Sequence, residues 1–128
     1  MRSVRAFAPA TVANVSCGFD ILGFAIDAMG DVVDVREKKE PGLQVVSISG
    51  DGGRLPFEAE KNTCAVAIQA MLDELGKEVG MEIYLEKGLP LGSGMGSSAA
   101  SAVAALVAAN RLLGEPFEKK QLLPFAMV

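Results

Sequence analysis

The chain has 128 residues and a mass of 13.3 kDa, the length of one domain. Half of its residues are hydrophobic, 22% are charged and 5% are aromatic, a balance that folds and does not stay disordered. Twelve Lys and Arg against sixteen Asp and Glu leave a net charge of −4 with no basic block, which argues against nucleic-acid binding and a polybasic membrane anchor.

The sequence contains no histidine. That removes His–Zn sites, Ser–His–Asp triads and histidine general bases from this stretch of chain. Cys17 and Cys64 lie 47 positions apart, which is neither a metal spacing nor a disulfide framework, so they read as two reduced thiols in a cytoplasmic protein. No long apolar run follows Arg2 and Arg5, so no secretory leader is expected.

Taken in chain order, residues 2–7 alternate and end at Ala8-Pro9, which predicts a first strand. Residues 10–30 carry Gly18, Gly23 and Gly30 among apolar residues and read as a compact loop region. Residues 31–38 predict a strand on Val32, Val33 and Val35, Pro41-Gly42 a turn, and residues 43–49 a further strand. Ala65, Ile68, Met71, Leu72 and Leu75 fall at helical spacing, so a helix is predicted over 63–75, with Asn62 as N-cap and Gly76 just past its end.

Residues 81–87 alternate, with Met81, Ile83 and Leu85 on one face and Glu82, Tyr84 and Glu86 on the other. A glycine–serine loop follows, and then a helix over 98–113 that Gly114 and Pro116 stop. Its stretch from Ala99 to Ala109, broken by Ser101, is about half of what spans a bilayer. A helix apolar on all sides is instead buried nearly all round. Residues 118–128 predict the start of a third helix. The chain stops on the apolar run from Leu122 to Val128; such a run is seldom left exposed, so the full protein is expected to be longer.

The segment with chemical content is Leu89-Pro90-Leu91-Gly92-Ser93-Gly94-Met95-Gly96-Ser97-Ser98-Ala99-Ala100, set between a strand and a helix. Three glycines at alternate positions let the backbone curl around a ligand and aim successive N–H groups into one concavity. The next helix adds its unpaired N–H groups and positive dipole end, completing a phosphate site that needs little side-chain charge. Two serines at the helix start add hydroxyls for a phosphate or for Mg²⁺. No lysine follows Gly96, which excludes a Walker A loop, and Ser97 stands where a dinucleotide fingerprint needs its third glycine.

Residues Leu89 to Ala100 resemble the ATP-phosphate motif of the GHMP kinases at every position. The N-terminal segment from Ala8 to Gly23, with Asn14 and Asp20 inside it, resembles the homoserine kinase branch, and the missing histidine separates the chain from the galactokinase and mevalonate kinase branches. The likeness runs over essentially all of the chain, yet it implies less than half of such an enzyme.

The resemblance implies an α+β fold: a mixed sheet with helices packed on one side, the phosphate loop lying between the strand at 81–87 and the helix at 98–113. Residues 1–128 would be the N-terminal ATP-binding portion, with a second domain absent from this chain. The implied reaction is ATP-dependent phosphorylation of the L-homoserine hydroxyl to O-phosphohomoserine, toward threonine. Its implied ATP-binding residues are Asn62, Lys87, Pro90, Leu91, Gly92, Ser93, Gly94, Met95, Gly96, Ser97, Ser98, Ala99 and Ala100. Ser98 would hold Mg²⁺, and Asn14 and Asp20 would line the amino-acid pocket, where a carboxylate suits the homoserine ammonium. Plain structural roles compete with these: an N-cap for Asn62 and Ser98, a solvated strand-end lysine for Lys87, a turn residue for Asp20.

No convincing general base lies within residues 1–128. The main catalytic residues are expected beyond Val128, so the isolated chain is expected to be inactive, and the intact enzyme to be a homodimer. The alternatives are another GHMP small-molecule kinase and a non-catalytic nucleotide-binding module.

Overall fold

A computed structural model describes residues 2–9, 30–50, 52–53, 55–88 and 97–126, with the backbone alone at residues 8, 9, 97–100 and 119. Four strands and three helices follow in the order β1 (Ser3–Pro9), β2 (Gly30–Lys38), β3 (Gly42–Ser49), α1 (Thr63–Leu75), β4 (Gly80–Glu86), α2 (Ser97–Leu112) and α3 (Lys119–Ala126). Every predicted strand and helix is present, with ends moved by two residues or fewer. Most of the predicted loop region at 10–30 lies outside the described residues.

The strands form one mixed sheet in the order β1-β2-β4-β3, the α+β arrangement expected. β1 and β4 both pair antiparallel with β2, and β3 pairs parallel with β4. A parallel pair needs a crossover, and α1 supplies it between β3 and β4. The β3–β4 ladder carries an irregularity between Val45 and Ser47.

The period-2 pattern decides which face is buried. Val33 and Val35 of β2 and Met81, Ile83 and Leu85 of β4 are all buried under the helices. On the opposite face the Arg36 guanidinium lies 4.3 Å from the centroid of the Tyr84 ring, and Arg5 and Arg36 flank Asp34.

α2 lies against β1, β2, α1 and α3. Its alanines let the backbones come close: Ala102, Ala104, Ala105, Ala108 and Ala109 are buried together with Leu106 and Leu112. Burial nearly all round holds, with Val103 and Val107, one turn apart, left half-buried and Arg111 exposed. α2 ends with Gly114 at φ 88° and Glu115 at φ 60°, and Glu115 N–H donates to Asn110 O at 2.7 Å. The buried Asn110 side chain then ties down the next turn, donating to Phe117 O at 2.9 Å and accepting from Phe117 N–H at 3.1 Å.

The apolar run at the end of the chain is partly buried in its described part. α3 docks on α1 and α2, Leu122 is buried, and the Phe117 and Phe125 rings meet at 5.4 Å. Among the described residues no helix is long and apolar enough to cross a membrane.

Candidate functional site

Four of the buried polar residues, Asp31, Asn62, Lys87 and Ser101, collect toward one end of the sheet, where β2 begins and β4 ends. The β2–β4 register pairs Val32 with Glu86, and one step further it sets Asp31 opposite Lys87. Both residues continue the buried faces of their strands, so two charges enter the core. They meet there: Lys87 Nζ donates to Asp31 Oδ2 at 2.5 Å, with side chains 1% and 0% exposed. Lys87 Nζ also reaches Ser101 Oγ of α2 at 3.3 Å, and Asp31 Oδ1 accepts the Gly88 N–H at 2.9 Å.

A buried pair of this kind is close to neutral against an apolar replacement, but removing one partner alone costs about 3–5 kcal/mol. The backbone of residues 87 and 88 is held from both sides. Lys87 N–H donates to Ser49 O at 2.8 Å at the end of β3. Gly88 lies so close to Gly30 that a Cβ there would sit 1.8 Å from the Gly30 carbonyl oxygen. Gly50, at φ 79°, turns the chain where a Cβ would sit 2.2 Å from Lys87 O.

Asn62 sits at the N-terminus of α1 as the N-cap that its place in the sequence predicts. Its Oδ1 accepts from Cys64 N–H at 3.0 Å and Ala65 N–H at 3.4 Å, and its Nδ2 donates to Pro56 O at 3.0 Å. Cys64, two residues on, is a free, buried thiol. Burial pushes its pKa up to about 11; a hydrogen bond with Ser101 and the Lys87 charge pull the other way, and desolvation wins. Asn62, Cys64, Ser101, Lys87 and Asp31 therefore form a continuous polar seam through α1, α2, β4 and β2.

Of the residues implied for ATP, Asn62 and Lys87 are thus brought into one seam. Lys87 is not a solvated strand-end lysine: the register that buries Leu85 buries it too. Pro90, Leu91, Gly92, Ser93, Gly94, Met95 and Gly96 lie outside the described residues, as do Asn14 and Asp20. Ser97, Ser98, Ala99 and Ala100 form the helical first turn of α2. A strand therefore enters the glycine–serine segment and a helix leaves it, as a phosphate loop requires. Asp31 was missed as a site residue; the signal was an acid two places before Val33 on the core face.

Among the described residues no group of three or more His, Cys, Asp or Glu could hold a metal ion. A cavity of about 570 Å³, lined in part by Arg2, Glu37, Lys38, Lys77, Met81 and Leu113, lies at the other end of the sheet, away from the seam.

Comparison with known proteins agrees with this arrangement. Residues 62–128 match the family model of the GHMP kinases N terminal domain. The chain is 48% identical to a homoserine kinase of Chlorobium phaeobacteroides over 137 aligned residues, covering 99% of this chain and 43% of that protein. It is 48% identical to a homoserine kinase of Xylella fastidiosa, covering 96% of this chain and 38% of that protein. The crystal structure of homoserine kinase from Cytophaga hutchinsonii superposes with a TM-score of 0.84 at 52% identity, covering 99% of this chain and 40% of that one. The chain thus spans less than half the length of these relatives. With a family model matched over more than half its length, on a sheet and helix order that frames the glycine–serine segment, this chain belongs to the GHMP kinase family.

Proposed function

We propose that the protein containing this chain transfers the γ-phosphoryl group of ATP to the hydroxyl of L-homoserine, giving O-phosphohomoserine on the way to threonine. The observation that carries this reading is identity of about half, over 96–99% of the chain, to proteins named homoserine kinase. Residues 1–128 are in this reading the N-terminal ATP-binding portion, with the remaining machinery in a second domain, and the intact enzyme is a cytoplasmic homodimer.

Phosphoryl transfer asks a protein for positioning and charge neutralisation more than for covalent chemistry. The segment from Pro90 to Ala100 supplies backbone N–H groups to the ATP phosphates, helped by the free N–H groups of the first turn of α2. Ser97 donates to a phosphate oxygen. Mg²⁺, when bound with ATP, neutralises charge on the phosphates. Its fit to this chain rests on the donor type: a hard serine oxygen, Ser98, at the N-terminus of α2. That suits an ion that keeps most of its shell from phosphates and water. Asn62 and Lys87 stand behind the adenosine side with their polar ends turned into the protein, and Asn14 and Asp20 face the amino acid, Asp20 toward its ammonium.

The test is ADP release by the intact protein with ATP, Mg²⁺ and a panel of small alcohols. L-homoserine should give the highest kcat/KM; preference for another alcohol would keep the family and overturn the substrate.

A further inference from the structure

The two stems that bracket residues 89–96 share one buried anchor. On the entry side, Gly88 N–H and Lys87 Nζ both bind the Asp31 carboxylate. On the exit side, Ser101, four residues into α2, receives the same Lys87 Nζ at 3.3 Å. Asp31 is wholly buried and belongs to a third element, β2, which the central pairing of the sheet fixes on both sides. The Lys87 ammonium is turned inward, with its side chain 1% exposed, so its contacts are with the protein.

We infer that Asp31 and Lys87 are positioning residues: a buried ionic clamp that sets the distance and angle between the end of β4 and the first turn of α2, and so the geometry in which the glycine–serine segment meets a phosphate. This rests on the kinase reading above and deepens it by assigning Asp31 a role and giving Lys87 an indirect one. The physical ground is that a charged hydrogen bond inside a dry core is strong and directional, and that Lys87, fixed by the Asp31 carboxylate and reaching Ser101, ties the two stems together. A merely structural pair would matter for stability alone, because any core filling of the right volume would serve.

The test uses the full-length protein. The single variants Asp31→Asn and Lys87→Met each leave a buried charge or donor unmatched and can fail to fold. The pair D31N/K87M removes both charges, keeps an acceptor oxygen for Gly88 N–H and should fold. Two readouts are taken well below its melting temperature: hydrogen exchange of residues 88–98 without nucleotide, and the Kd for ADP by calorimetry. The clamp predicts exchange about tenfold faster in 88–98 with β2 and α1 unchanged, ADP binding about tenfold weaker, and KM for homoserine within about threefold of the parent. Parent-like ADP affinity in the folded pair would overturn the proposal, whether or not exchange changes. Failure of the kinase reading looks different: the parent protein itself would then bind no ADP, and the clamp would fall with it.

Discussion

Gly88 and Gly30 face each other with no room between them: a Cβ on Gly88 would lie 1.8 Å from the Gly30 carbonyl oxygen and 2.9 Å from its carbon. Both atoms are backbone, so neither can swing away as a side-chain tip would. The strand that leads to the glycine–serine segment is thereby pressed onto the start of β2, where Asp31 binds it. Gly88→Ala should destabilise the protein by about 3 kcal/mol, through overpacking that only a backbone shift relieves. Gly52→Ala, at φ 66° with open space around its Cβ, should cost about 1 kcal/mol from backbone strain alone. Urea unfolding of the two variants checks the order; equal losses would contradict the close approach.

Asn62 accepts two α1 amides and donates to Pro56 O, so truncation removes a cap and a loop tie together. Asn62→Ala should cost about 2 kcal/mol, and Asn62→Asp, which keeps the accepting oxygen but sets a second oxygen against Pro56 O, should recover only part of it. Thermal denaturation separates these; identical melting temperatures for the two variants would remove the capping role.

Cys64 makes stability fall at high pH. Its pKa rises from 9.0 to about 11 in the fold, so the folded state holds the thiol proton more tightly than the unfolded chain. The stabilisation is complete below pH 9.0 and is lost as pH climbs to about 11. Two units correspond to about 3 kcal/mol. Comparing the protein with Cys64→Ala by denaturant unfolding between pH 8 and 11 isolates this term from the lysines and tyrosine. The stability gap between the two should close as pH rises, and parallel curves would show that the thiol is not desolvated.

Much of the fold was legible because the signals were local. Alternation gave β4 its buried face at Met81, Ile83 and Leu85, and Asn62 and Gly76 marked both ends of α1. Gly76 closes that helix in the left-handed region at φ 68°, as its place in the sequence predicts. The fate of the terminal apolar run was not legible, because docking of Leu122 depends on where α2 turns at Gly114 and Glu115. The glycine–serine motif was readable as spacing. The clamp was not, since Asp31 and Lys87 are 56 positions apart and meet only through the β2–β4 register. Two charges at core-facing positions of neighbouring strands were the available clue.

Ser98 lies in the first turn of α2. In the proposed role of Mg²⁺ ligand it should matter most when charge develops on the transferring phosphoryl group. In the intact enzyme, Ser98→Ala should lower kcat about 10²-fold while KM for ATP moves far less. Equal changes in both parameters would reduce Ser98 to a helix cap.

Homoserine phosphorylation is tested most directly by the rate of ADP formation by the intact protein at saturating ATP and Mg²⁺, measured with and without L-homoserine, with O-phosphohomoserine identified as the second product. Transfer to homoserine predicts ADP and O-phosphohomoserine in equal amounts and a rate that falls to background when homoserine is left out. ADP release indifferent to homoserine, or nucleotide binding with no transfer to any alcohol, would contradict it.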